Sequence, residues 1–140
     1  MQTIRTIPLS ALAYTAAVFA AGVVLGVLRG LVVTPRVGEA AAILIEVPLM
    51  LAISFGAARW AVGRWRVPPR PAPRFVMGAL ALVLLLGAEV ALSTLGFGRT
   101  VAEHVARTLR PAALPGLAAQ ILFGAMPALL LTVPGGRERR

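Results

Sequence analysis

Polar positions divide this chain on a scale too long for a surface helix. Four runs rich in Ala, Val, Leu, Ile and Gly are each bounded by arginines: Arg5 and Arg29, Arg36 and Arg59, Arg74 and Arg99, Arg110 and Arg137. The first run holds 23 consecutive uncharged residues, and about 20 suffice to cross roughly 30 Å of hydrocarbon at about 1.5 Å per residue. The pattern predicts transmembrane helices over 8–29, 36–60, 75–97 and 115–133. After the lone Arg5, the first run is too long for a signal-peptide core and lacks a clean small-x-small site, so it reads as a retained anchor.

The segment 101–110 differs in kind. Thr100 with Glu103 forms a capping box, Val101, Val105 and Leu109 fall on one side, and Glu103, His104, Arg107 and Arg110 fall on the other. This predicts a short amphipathic helix lying in the membrane interface. His104 reads as a solvated member of its polar face. The fold class is thus all-α, a single polytopic four-helix transmembrane domain over residues 1–140 with an interfacial helix between helices 3 and 4.

Proline and glycine punctuate these elements. Thr34-Pro35 predicts a short link between Arg29 and Arg36, because proline tends to end the preceding helix. Pro48 and Pro127 predict kinks. From Ala61 to Arg74 the chain becomes basic and proline-rich, a stiff loop whose Trp60 and Trp65 suit an interfacial aromatic belt. Gly22, Gly26 and Gly30 recur at four-residue spacing, a small-xxx-small ridge that predicts close helix packing, within the chain or against a second copy. Residues 135–140 read as a charged tail without structure.

Composition agrees with a membrane protein: 59% of the 140 residues are hydrophobic, and the mean hydropathy is +0.87. Every one of the 14 basic residues is arginine, and Lys, Asp, Asn and Cys are absent; such usage suggests a GC-rich bacterial genome. A net charge of +9 invites nucleic acid as a partner. The arginines, however, stand at the ends of apolar runs and form no single face, so topology accounts for them and nucleic acid is not expected. Nine arginines fall on the side of the termini and the middle loop, against five on the other. The positive-inside rule then predicts a bacterial inner-membrane protein with both termini cytoplasmic.

Against this apolar background the few polar residues inside the spans are the candidate chemistry, because ionisable groups there are costly and functional by default. Glu46 lies ten residues after Arg36, Glu89 ten before Arg99, and Gln120 ten after Arg110. Since those three arginines mark one boundary, the equal offsets predict a polar layer of Glu46, Glu89 and Gln120 about 15 Å deep. Two carboxyls placed together cannot both ionise cheaply, so the layer would share a proton, hold a cation, or be neutralised by a snorkelling arginine. A salt-bridge network of Arg29, Arg36 and Glu39 is expected beside it, leaving Glu46 to Glu89.

No nucleophile and base pair, phosphate-cradling loop or metal-ligand spacing is present, so neither enzymatic activity nor a cofactor or metal is expected. The first expectation is a structural or accessory membrane subunit whose acids fix helix packing or dock a partner. The alternative is a small proton- or cation-coupled transporter or channel using Glu46 and Glu89. The bilayer is the expected partner in either case, with a second copy or a larger membrane complex as further candidates.

Leu28-Arg29, Pro35-Arg36-Val37-Gly38-Glu39, Glu46-Val47-Pro48, Ser54, Ala58-Arg59-Trp60 and Phe97-Gly98-Arg99 resemble a group of small four-helix bacterial inner-membrane proteins. That resemblance implies location and architecture and assigns no activity. Arg36, Glu46 and Pro48 are faintly similar to the membrane-associated eicosanoid and glutathione metabolism family, whose required asparagine is missing here. Small multidrug resistance transporters carry their key glutamate in the first helix, where this chain has none.

Overall fold

The computed structural model describes residues 2–134; the arginine-rich tail 135–140 lies outside them. Within that range the chain is helical and contains no strand. Helix α1 (Gln2–Leu28) passes through a π-helical turn (Arg29–Val33) into α2 (Thr34–Val37), and α3 spans Glu39–Arg64. Next come α4 (Pro71–Ala91) with a π-helical continuation (Leu92–Gly96), the short α5 (Val101–Thr108) and α6 (Leu114–Leu129). Four of these rods are long and apolar enough to cross a membrane: Arg5–Val37, Glu39–Arg64, Pro71–Gly96 and Pro111–Thr132.

Two boundaries differ from those the sequence predicts. The link expected between Arg29 and Arg36 is helical, and the chain reverses at Gly38 alone. In the π-helical turn the Thr34 N–H reaches back five residues to the Arg29 carbonyl. This widened turn accommodates Pro35, which has no N–H to place. Gly38 then takes φ +85°, a conformation that side chains disfavour, and its N–H closes on the Thr34 carbonyl at 2.9 Å. The first rod, Arg5–Val37, therefore runs 33 residues, about 50 Å at roughly 1.5 Å per residue. The proline-rich loop is also shorter than expected. Pro71 enters the first turn of α4, where a missing N–H costs nothing, so only residues 65–70 remain outside the helices.

The rods form a ring. α1 packs on α3 and α4, and α6 packs on the same two, so α1 faces α6 across one diagonal. Buried side chains concentrate at the end that holds loop 65–70, where Tyr14, Val18, Ala58, Met77, Phe123 and Met126 form the core. Tyr14 crosses the diagonal to stack on Phe123, with ring centroids 4.3 Å apart and planes 16° from parallel. Its hydroxyl donates to the Phe123 carbonyl at 2.9 Å. That is the carbonyl which Pro127, four residues on, leaves without a helical donor. The Thr15 hydroxyl likewise donates to the Ala81 carbonyl at 3.1 Å, tying α1 to α4. Where α4 meets α6, Gly78 and Gly124 let the backbones touch: a Cβ on Gly78 would stand 1.8 Å from the Gly124 carbonyl oxygen.

The same end encloses Arg74, which is 4% exposed. Its guanidinium donates to the carbonyls of Pro68 (3.2 Å), Val67 (3.3 Å) and Pro127 (3.3 Å). Loop 65–70 offers few N–H groups and several carbonyls, and one buried arginine fastens two of these while reaching α6.

Packing thins toward the opposite end. Beyond Val18 the first rod buries no side chain, α3 buries only Ala42 before Ser54, and α6 buries none before Phe123. On the α4 rod only Ser93 is buried beyond Leu85. Glu46, Glu89 and Gln120 lie in this loosely packed half.

Candidate functional site

Arg29 opens the π-helical turn after α1, and Glu46 sits in the second turn of α3 after the Gly38 reversal. Each lies eight or nine residues from Gly38 along its own helix, so the hairpin brings them level. The Arg29 Nε forms an ion pair with Glu46 Oε2, and both side chains are half-buried. This is the snorkelling arginine among the expected states of the layer, and it redraws the expected Arg29, Arg36 and Glu39 network. Arg29 takes Glu46, whereas Glu39 pairs with Arg110 at 2.7 Å on the exposed rim between α3 and α6. Arg36 joins neither acid; its guanidinium donates to the Val32 carbonyl at 2.5 Å.

Glu89 and Gln120 meet between α4 and α6. The Gln120 Nε2 donates to both carboxylate oxygens of Glu89 at 2.7 Å. Among the described residues no hydrogen bond or ion pair joins Glu46 to Glu89, so the expected layer resolves into two separate pairs. Ring order explains this. α3 and α4 face one another across a diagonal, and each acid turns to a partner on an adjacent rod, Glu46 to Arg29 and Glu89 to Gln120.

The small-residue ridge has one contact. A Cβ on Gly22 would meet Met50 at 3.5 Å, while Gly26 and Gly30 have nothing within 4 Å. Within the chain, the close helix approach is made by Gly78 and Gly124.

Three further groups stand beside Glu89. Ser93, in the π-helical continuation of α4, is 4% exposed, and its Oγ has no hydrogen-bond partner among the described residues. Four residues after Glu89, this serine shares that residue's helix face, as the spacing predicts. Arg99 is held against Phe97, with the guanidinium 4.9 Å from the ring centroid. His104 projects from the first turns of α5 into the same region. Together Glu89, Leu92, Ser93, Phe97, Arg99 and His104 line an open pocket of about 200 Å³. Arg74 was legible only as a boundary charge, and its inward direction depends on where loop 65–70 folds.

The geometry separates two kinds of chemistry. Glu46 is neutralised by a fixed arginine, whereas Glu89 is held by a neutral amide and borders a pocket. Among the described residues no group of three His, Cys, Asp or Glu side chains is arranged to hold a metal ion. Both π-helical turns fall beside site groups, one opening with Arg29 and the other containing Ser93, and such turns recur at functional sites. Helix α5 has its capping box, with Glu103 N–H donating to Thr100 Oγ1 at 3.1 Å and Thr100 N–H to Glu103 Oε2 at 2.8 Å. Its apolar side is uncovered, Val101, Val105 and Leu109 being 55%, 46% and 59% exposed. Comparison of the chain with protein-family models, with curated proteins and with solved structures finds no match to any of the three.

Proposed function

We propose that this is a bacterial inner-membrane scaffold or accessory subunit, with both termini cytoplasmic, whose span acids fix the helices relative to one another. One observation carries the reading: Glu46 and Glu89 are each bonded to a side chain on a different helical rod, and Glu39 to Arg110 just ahead of the fourth. The uncovered apolar side of α5 supports its placement in the outer interface, where such a face meets lipid. The nine-to-five arginine asymmetry supports the orientation.

The Arg29–Glu46 pair gives the test. Glu46→Leu and Arg29→Leu should each lower stability in detergent by about 1–2 kcal/mol, the scale of polar contacts between membrane helices. The double variant should lose clearly less than the sum, because either single change leaves a charge without its partner. Additive losses measured by thermal melting would show that the pair does not couple α1 to α3.

The pocket beside Glu89 favours a second reading, proton- or cation-linked transport through Glu46 and Glu89. On that reading Glu89→Gln keeps the fold while abolishing a proton- or cation-driven flux in proteoliposomes. Absence of flux in the unaltered protein, with protons, sodium and potassium each tested, removes it.

A further inference from the structure

The pocket at the outer end of α4 holds opposite charges that do not meet. Glu89 and Ser93 form its inner wall, and Arg99 and His104 line it from beyond the helix end, within about 200 Å³. Among the described residues no ion pair joins Glu89 to Arg99. Phe97 holds the Arg99 guanidinium on its face, 4.9 Å from the ring centroid. On its wall the buried Ser93 Oγ lacks a hydrogen-bond partner among the described residues. Buried polar atoms are normally satisfied, so this hydroxyl points to a ligand with a hydrogen-bonding group at the Glu89 end.

The charge pattern selects the ligand class. A simple anion attracted by Arg99 would face the Glu89 carboxylate, and a simple cation attracted by Glu89 would face the Arg99 guanidinium. A metal ion would find a single carboxylate and too few further oxygens. A small zwitterion satisfies both ends at once. We infer that this pocket binds a phosphoethanolamine group, its primary ammonium at Glu89 and Ser93 and its phosphate at Arg99 and His104. The ammonium donates to the carboxylate and to Oγ, and the guanidinium supplies paired N–H donors to phosphate oxygens. The volume is below that of drug-sized ligand pockets and suits a head group of this size. Such a group arrives either as a soluble phosphoester or as the head of a membrane lipid. The inference goes beyond the scaffold reading and rests on its membrane placement only for the lipid source.

Calorimetric titration of the full chain in detergent, with soluble glycerophosphoethanolamine as the probe, tests it. Glycerophosphate, ethanolamine and glycerophosphocholine serve as comparators. Each should bind about tenfold more weakly or worse, the loss of one charge-assisted contact. Arg99→Gln and Ser93→Val should each weaken glycerophosphoethanolamine to a similar extent, while Arg107→Gln, outside the pocket, leaves it unchanged. If a pocket variant fails to fold, the comparator series alone decides.

A second arm uses nanodiscs of equal phosphatidylethanolamine and phosphatidylglycerol, with retained lipid read by native mass spectrometry. Retention of phosphatidylethanolamine by the parent and its loss in Arg99→Gln supports the inference and identifies the lipid as a source. Binding in the soluble arm alone supports it with a free phosphoester as ligand. Equal affinity for glycerophosphate and glycerophosphoethanolamine overturns it, as does a null result in both arms. The scaffold reading fails separately, through additive losses in the Arg29 and Glu46 variants.

Discussion

A Gly78→Val protein is not expected to yield a monodisperse bundle in detergent. An added Cβ at this position would stand 1.8 Å from the Gly124 carbonyl oxygen, with the Gly124 carbonyl carbon 3.0 Å and the Pro127 Cδ 3.5 Å away. The obstacle is backbone, so no rotamer change relieves it, and α4 must move away from α6. That separation would open the contact beside Met77, Ala81, Phe123 and Met126, which form much of the core. Even Gly78→Ala should cost about 3 kcal/mol, at the upper end of ordinary overpacking. The matched control is Gly87→Ala on the same helix, where nothing lies within 4 Å and a better helix former should be neutral or slightly stabilising. Gel filtration and thermal melting read both changes. A Gly78→Ala protein that melts with the parent would show that the two backbones do not touch.

The second large effect is at Arg74. Replacing it with methionine keeps much of the aliphatic bulk but takes the guanidinium donor from the carbonyls of Val67, Pro68 and Pro127, of which Pro68 keeps the Arg70 N–H at 2.8 Å. Each buried unsatisfied acceptor costs about 1–3 kcal/mol, so Arg74→Met should lose roughly 3 kcal/mol or more. The loss has a local signature as well. Loop 65–70 is fastened by two of those bonds, and its release should speed trypsin cleavage after Arg66 severalfold in conditions where the helices stay intact. Arg74→Lys should recover only part of the stability, because a compact ammonium cannot present the planar donor fork to three carbonyls. An unchanged cleavage rate in Arg74→Met would mean that the loop is held by something other than this guanidinium.

The arginine-bounded apolar runs were enough to find four rods, and the Thr100 and Glu103 pair was enough to find α5, since both signals are local in sequence. What the pattern could not supply was lateral order. Equal depth aligned Glu46 with Glu89, but depth is a coordinate along the bundle, and which helices are neighbours depends on side-chain fit around it. The same gap hid the Gly78 and Gly124 contact. Each is a lone glycine in its own helix, with no spacing motif, whereas the regular ridge of Gly22, Gly26 and Gly30 makes little contact within the chain. The rule that proline ends a helix also misplaced the first turn, because a π-helical widening after Arg29 carries the helix past Pro35. Arg74 was misread for a related reason. A boundary arginine faces water by default, and only the folded course of residues 65–70 turns this one inward.

The thinning of the core along the bundle makes the first rod a lever. Its pivot is Tyr14 and Thr15, fastened to α6 and α4. Arg29 stands about 22 Å beyond Tyr14 and Val37 about 34 Å, at roughly 1.5 Å per residue. Any tilt about the pivot therefore displaces Val37 about half as far again as Arg29. The ion pair with Glu46 sits two-thirds of the way along the arm. There it acts as a stay that limits the angle through which the hairpin tip at Gly38 can swing.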